Sequence, residues 1–367
     1  MKLNEQNGPA TLSHCWTVTL FVGFAFIGSE SVIASDLLLR DQRAQGYLHV
    51  RFSPDGRFVA AASILPRKEG RAIAIWEVAT GDLLQWIDNT KRDIPGGIGT
   101  FDFCPPNYLV AVSPNGSHLF FIQHELVNRK DAWKMVASIP KRVHPRSRLV
   151  FMDWIACSPD GKHLVCNSAS MKRGGFNSFG IGAVEVWDLS QKRMVSTIET
   201  PSLFPHEYNF LDEEGLMYLC SARIVHAKLD GDIVATRGNN FLKRNSELNT
   251  MDVSPDQQHV VVGGDRFIAI LDAQTLETTK LIELPVTESP EILRYTPNGR
   301  WLVEFSATAR LIRIRNAESG EVVGERGLSV IRRFDISPDS QTIAVTDSGD
   351  MKGVHLWKLK DLIDEAE

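Results

Sequence analysis

The stretch Phe52–Ser63, FSPDGRFVAAAS, decides how this 367-residue chain folds, because close copies of it return four more times. They read CSPDGKHLVCNS from Cys157, VSPDQQHVVVGG from Val253, YTPNGRWLVEFS from Tyr295 and ISPDSQTIAVTD from Ile336. In each copy an apolar or alternating run ends, the chain turns through Ser-Pro-Asp-Gly or a relative, and a second apolar run begins. Proline pre-sets the turn backbone, Asp or Asn bonds its own main chain there, and Gly supplies the positive φ. The unit is a hairpin between two strands.

A third run follows each pair, as in AIAIWEV, AVEVWDL, FIAILDA, LIRIRNA and VHLWKL. It enters a second turn such as ATGD, SQKR or AESG, and in most repeats a fourth run such as LLQWI or MVSTIE. The repeat is therefore four antiparallel strands. Its inner strands are apolar on both faces, where a meander with one wet face would alternate. Radially packed propeller blades satisfy this, since each blade is covered on both sides by its neighbours.

Taking Pro54 as a marker, the equivalent positions are Pro105, Pro159, Glu213, Pro255, Pro297 and Pro338, spaced by 51, 54, 54, 42, 42 and 41 residues. The last three spacings match a blade period of about 40–45 residues, and the first three carry loop insertions. We expect an all-β, seven-bladed propeller over residues 35–367. Its blades fall near 47–87, 99–139, 149–199, 206–237, 248–284, 290–325 and 329–360. The last blade lacks a fourth run, while residues 36–40 (DLLLR) have no blade of their own. Pairing this N-terminal strand into the last blade would close the ring and hide two sheet edges. The other possibility is a C-terminal strand or helical turn that closes nothing.

At these residues the chain resembles WD40 and related bacterial YVTN-type propellers over nearly all of its length after Ala34. Trp187-Asp188 matches the motif at the end of the third strand fully, Trp76-Glu77 closely and Trp357-Lys358 in part, while Leu271-Asp272 and Arg315-Asn316 hold the position with other residues. The Gly-His dipeptide of well-formed WD40 repeats is absent, so the buried network it builds in that family is not expected. The resemblance implies an interaction platform without catalysis.

Composition excludes other classes. At 43% hydrophobic and 23% charged the chain is globular, and a net charge of -5 gives no global attraction to nucleic acid or anionic membranes. Residues 16–28 (WTVTLFVGFAFIG) are an apolar run followed by Val32-Ile33-Ala34, a small-residue cleavage pattern. The run falls short of the roughly 20 residues of a spanning helix. We read residues 1–34 as an export signal cut after Ala34, with an uncleaved anchor as the alternative. The mature chain is then periplasmic or secreted, spans no membrane, and forms a monomeric ring.

Five cysteines leave four after Ala34, namely Cys104, Cys157, Cys166 and Cys220, at spacings of no metal or redox motif. They are expected to be buried thiols rather than a bridge. His49, His118, His163, His226, His259 and His355 are scattered, and no catalytic or cofactor motif occurs. Gly174–Gly182 is glycine-rich but lies between strands, so it lacks the helix N-terminus that cradles phosphate. Asn115-Gly116-Ser117 reads as a tight turn, not a glycan acceptor. No metal or cofactor is expected.

One charge pattern stands out. Loops joining second to third strands, and one blade to the next, share a face of a propeller. Here they carry Arg67, Lys68, Arg71, Lys91, Arg92, Lys141, Arg142, Arg146, Arg148, Lys172, Arg173, Lys243 and Arg244. These thirteen cations face only Glu69, Asp88, Asp93 and Glu247, an excess of nine positive charges in a chain of net -5, so blades one to five offer a positive rim, and the equivalent loops of blades six and seven, with Glu288, Glu291, Asp347 and Asp350, do not. The opposite face must be acidic to balance. The expected function is a non-enzymatic platform that docks a protein or polyanion partner on this basic rim. Nucleic acid is the weaker partner, because few aromatics interleave the cations. The alternative is a lactonase-type hydrolase, which needs His, Arg and carboxylates converging on the central channel. A third reading is a structural subunit of an envelope assembly.

Overall fold

A computed structural model of the protein describes residues 37–65, 71–88, 98–106, 108–113, 117–127, 130–140, 154–170, 181–200, 205–220, 222–241, 247–327, 331–347 and 353–363. The segment read as an export signal, the Asn115 stretch and most of the glycine-rich loop lie outside these residues. Ser35–Glu367 forms one compact unit. No helix among the described residues is long and apolar enough to cross a membrane.

Seven four-stranded antiparallel sheets form a β-propeller. Blade 1 holds β2 (Gly46–Phe52), β3 (Phe58–Ile64), β4 (Arg71–Glu77) and β5 (Leu83–Ile87). Blade 2 holds β6 (Thr100–Cys104), β7 (Tyr108–Val112), β8 (His118–Val127) and β9 (Lys130–Pro140). Blade 3 holds β10 (Ile155–Cys157), β11 (His163–Ser170), β12 (Ile181–Asp188) and β13 (Arg193–Thr200). Blade 4 holds β14 (His206–Phe210), β15 (Gly215–Cys220), β16 (Arg223–Lys228) and β17 (Ile233–Gly238). Blade 5 holds β18 (Leu248–Val253), β19 (His259–Gly264), β20 (Phe267–Asp272) and β21 (Thr278–Glu283). Blade 6 holds β22 (Ile292–Tyr295), β23 (Trp301–Ser306), β24 (Leu311–Asn316) and β25 (Val322–Gly327).

Blade 7 is built from β26 (Ile331–Ile336), β27 (Thr342–Asp347) and β28 (Gly353–Lys358), and its outer strand is β1 (Leu37–Leu39). Leu37, Leu38 and Leu39 pair antiparallel with Leu356, His355 and Val354. The two ends of the chain thus meet in one sheet. The C-terminal segment after β28 is a single 3-10 turn, Leu359–Leu362, whose Leu359 and Leu362 are buried in the core between blades 6 and 7.

The cores lie between blades, not within them. Phe58, Ile73 and Ile75 of blade 1 pack on Phe101, Leu109 and Phe120 of blade 2, and equivalent clusters join every successive pair around to blades 7 and 1. This is why the second strands are apolar on both faces, with β3 and β15 buried almost throughout, while the outer strands β17 and β21 are largely exposed. Trp76, Trp187 and Trp357 are core residues, 1%, 6% and 3% exposed.

The recurring turn is a small hydrogen-bonded device. Ser53 Oγ donates to Asp55 Oδ1 at 2.6 Å and accepts from Phe58 N at 2.9 Å, while Asp55 Oδ1 accepts from Arg57 N at 3.1 Å. Ser158 with Asp160, Ser254 with Asp256, Thr296 with Asn298 and Ser337 with Asp339 repeat it. Gly56 and Gly161 take φ of 71° and 70°, and Gln257 and Ser340 hold the same left-handed site at 62° and 60° where glycine is missing. In blade 4 the turn is one residue shorter: Leu211 N donates to Gly215 O, and Asp212 Oδ1 accepts from Glu214 N at 2.8 Å. The equivalent of Arg51 in this blade is therefore Asn209, one position earlier than a marker at Glu213 implies.

The thiol expectation is half overturned. Cys104 and Cys157, at the ends of the innermost strands of blades 2 and 3, form a disulfide with Cα atoms 5.3 Å apart. Adjacent innermost strands bring together two residues 53 apart in sequence, within the usual disulfide span. Cys166 and Cys220 are buried thiols outside any disulfide, as expected.

Candidate functional site

The innermost strand of each blade ends in the turn, and the residue two positions before Ser53, Cys104, Ser158, Leu211, Ser254, Thr296 or Ser337 holds the same place in the repeat. These seven positions are Arg51, Asp102, Ala156, Asn209, Asp252, Arg294 and Asp335. Each sits among apolar neighbours on a strand whose alternate residues enter the inter-blade core. The second residue back on the same face adds His49, Trp154, Glu207, Thr250 and Arg333.

Three of the ring carboxylates clamp one blade to the next. Asp335 Oδ2 accepts from Phe52 N at 2.7 Å, Asp102 Oδ2 from Cys157 N at 3.0 Å, and Asp252 Oδ2 from Tyr295 N at 2.7 Å. Thr250 Oγ1 accepts from Leu293 N at 3.0 Å, and His49 Nε2 donates to Phe101 O at 3.1 Å. Burial pushes Asp102 and Asp252 up to about 6, and the nearby guanidiniums of Arg51 and Arg294 offset it only in part. Burial also raises Asp335. His49 is held well below its ordinary value, first by burial and then by the charges of Arg51, Arg333 and Arg294.

The cations cross the channel. Arg294 Nη2 donates to Glu207 Oε2 at 2.7 Å, joining blade 6 to blade 4, and its Nη1 donates to Leu293 O at 2.7 Å and Met251 O at 3.2 Å. The Arg333 guanidinium of blade 7 lies 5.2 Å from the centre of the Trp154 ring of blade 3, a cation–π contact. Glu207 is 2% exposed and has φ of 53°, at a break in the β14–β15 register. A bulge re-aims a side chain, and left-handed backbone in a non-glycine residue costs on the order of 1–3 kcal/mol. Here it turns Glu207 toward Arg294.

The loop face is described at its anchors. The β3–β4 and β11–β12 hairpins and the ends of β5, β9 and β17 all open on the side of the ring opposite the Ser-Pro turns, as antiparallel pairing requires. Of the thirteen loop cations Arg71 is described, and it is half-buried, with Nη1 donating to Gly99 O at 2.9 Å. It ties blade 1 to the segment entering blade 2. Arg67, Lys68, Lys91, Arg92, Lys141, Arg142, Arg146, Arg148, Lys172, Arg173, Lys243 and Arg244 lie outside the described residues.

On the opposite face, acidity has a local cause. Asp160, Asp256 and Asp339 each accept a backbone N–H in the first turn, and Asp188 and Asp272 do so in the second. Asn316 does the same work in blade 6 without charge. A groove of about 690 Å³ lies there between blades 5 and 6, beside Asp256 and Arg300. Its Lys280 ammonium is already committed to Glu318 O and Ser319 O.

Sequence reading passed over the channel residues, apart from naming His49 as one scattered histidine. A signal was present: RF, DF, DV, RY and DI precede the turn in five blades, a charge in the middle of an apolar strand. Among the described residues no group of His, Cys, Asp and Glu is placed to hold a metal ion. No protein-family model matches the chain, and no curated protein matches it in sequence.

Proposed function

We propose that this propeller is a non-catalytic binding module that docks an anionic macromolecular partner on its basic loop face. The observation that carries the reading is the division of charge. In the segments of blades 1 to 5 that leave one side of the ring, thirteen clustered cations stand against four acids, whereas those of blades 6 and 7 carry Glu288, Glu291, Asp347 and Asp350; the turn carboxylates on the other side are accounted for by backbone hydrogen bonds. Arg71, the described one of these cations, holds Gly99 O. Clustered like charge steers an oppositely charged partner and raises its association rate.

The protein acts outside the cytoplasm in this reading, which the apolar segment before Ala34 and the Cys104–Cys157 bridge both support. The hydrolase alternative has less behind it. Arginines, carboxylates and His49 do converge on the channel, but Asp102, Asp252 and Asp335 each hold a neighbouring blade's N–H, and His49 holds a carbonyl. Each of these groups thus has a task in holding blade to blade.

The test is retention on a heparin-type polyanion against salt, for the wild type and for Arg142→Glu with Arg146→Glu. The variant should elute at clearly lower salt. Equal retention at every ionic strength would reject the loop face as the docking surface.

A further inference from the structure

The seven ring positions in the channel are not equally filled. Arg51, Asp102, Asp252, Arg294 and Asp335 are long or charged, but blade 3 contributes Ala156 and blade 4 contributes Asn209. Beside these two small residues the channel keeps a cavity of about 250 Å³, the liquid volume of about eight waters. Arg51, Asp102, Trp154, Glu207, Asn209 and Arg294 line it.

Arg51 is the loosely held member. Its Nε lies 3.4 Å from Asp102 Oδ1, its Nη1 3.9 Å from Asp335 Oδ1 and 3.4 Å from Val50 O, and it has no shorter polar contact among the described residues. A guanidinium carries five N–H donors in a flat fork. Arg294, by contrast, makes two contacts of 2.7 Å. Arg51 is 20% exposed and lines the cavity. It is an under-used donor fork facing a preformed cavity.

We propose that this cavity binds a small monocarboxylate with an apolar or aromatic body, its carboxylate on the Arg51 fork and its body against Trp154. Arg matches a carboxylate with two parallel hydrogen bonds. Asn209 lies at the wall, with one amide N–H given to Met251 O at 3.2 Å. A single negative charge is favoured by the surroundings: Asp102 and the buried Glu207 line the site with Arg51 and Arg294, and Asp335 lies 3.9 Å from Arg51, so a dianion such as phosphate meets about twice the repulsion from these carboxylates that a monoanion does. The shape is specified by Ala156, because any larger side chain there would fill the space.

The inference concerns the channel and goes beyond the loop-face reading. It is tested on the purified full chain by calorimetric titration with benzoate, acetate and inorganic phosphate, for the wild type, Ala156→Leu, Arg51→Gln and the Arg142→Glu/Arg146→Glu variant. Benzoate should bind the wild type, more tightly than acetate or phosphate. Binding should weaken at least about tenfold in Arg51→Gln, as expected for loss of a charge-assisted pair. Ala156→Leu should abolish it with an unchanged unfolding temperature, which keeps the test valid if Arg51→Gln destabilises the ring. The loop-face variant should bind benzoate normally, so the two proposals fail separately. No benzoate binding by the wild type at millimolar concentration, undiminished binding by Ala156→Leu, or tighter binding of phosphate would each overturn the proposal.

Discussion

The carboxylate of Asp335 in the last blade accepts a hydrogen bond from the backbone N–H of Phe52 in the first, at 2.7 Å and across 283 positions of sequence. It closes the ring on the inside, as the pairing of Leu37–Leu39 with β28 closes it on the outside. Asp335→Ala would orphan a buried N–H and leave Arg51 with one carboxylate neighbour. The expected loss is about 1–3 kcal/mol, read as a lower urea midpoint, with Asp335→Asn costing less because its amide oxygen still accepts. An alanine variant as stable as the wild type would show that the clamp contributes nothing.

The raised carboxylates give a pH signature. Asp102 and Asp252 have folded values of about 6, above the ordinary value of about 3.9 for an unfolded chain. Their contribution is therefore fully present below about pH 4 and lost as pH rises through about 6, on the order of 3 kcal/mol for each. His49, depressed by burial and by Arg51, acts in the opposite sense, losing its contribution as pH falls below about 6.5. The comparison that isolates the carboxylates is wild type against Asp102→Asn with Asp252→Asn. The stability difference between the two proteins should change between pH 4 and pH 7, the variant gaining on the wild type at the higher pH. A difference independent of pH would rule out the shifted carboxylates.

Blade 6 places Arg315 where blades 1, 3 and 7 have tryptophan, and Glu304, 0% exposed, accepts from its Nε at 2.7 Å. Arg315→Met alone leaves Glu304 buried without its main partner and should cost about 3–5 kcal/mol. Glu304→Leu together with Arg315→Met should recover most of that loss, since Arg313 retains Glu288. Denaturant curves of the single and double variants decide it: a double variant as unstable as the single would mean that the site requires charge.

The bridge between Cys104 and Cys157 closes a loop spanning 53 residues. Its removal by reductant, or by Cys104→Ala with Cys157→Ala, should lower stability by up to about 4 kcal/mol. Alkylation of the denatured, unreduced chain should label Cys166 and Cys220 and spare the bridged pair. Labelling of all four after Ala34 would show that the sulfurs are unlinked.

How much of this was legible varies residue by residue. The hairpin at Ser53–Phe58 is a local event, and its proline, carboxylate and glycine can be read in order. The clasp Leu37–Leu39 was legible by subtraction, since one blade lacked a strand and one strand lacked a blade. The bridge was not legible, because Cys104 and Cys157 occupy different positions of the repeat and only neighbouring innermost strands bring them within reach. Nor was the blade 4 turn, where a residue is missing and the ring position shifts to Asn209.

By itself the sequence determined seven repeats of four strands, the covering of both faces of each sheet, and the meeting of the chain's ends. Strand alternation and turn chemistry are short-range properties, and a repeat multiplies them. Only the tertiary structure decided what faces what in the channel. Arg51, Asp102, Arg294 and Asp335 come from four blades, and their mutual distances depend on the number and tilt of blades around the axis, which no local pattern encodes. The same closure left Ala156 and Asn209 side by side, and with them the cavity beside Arg51.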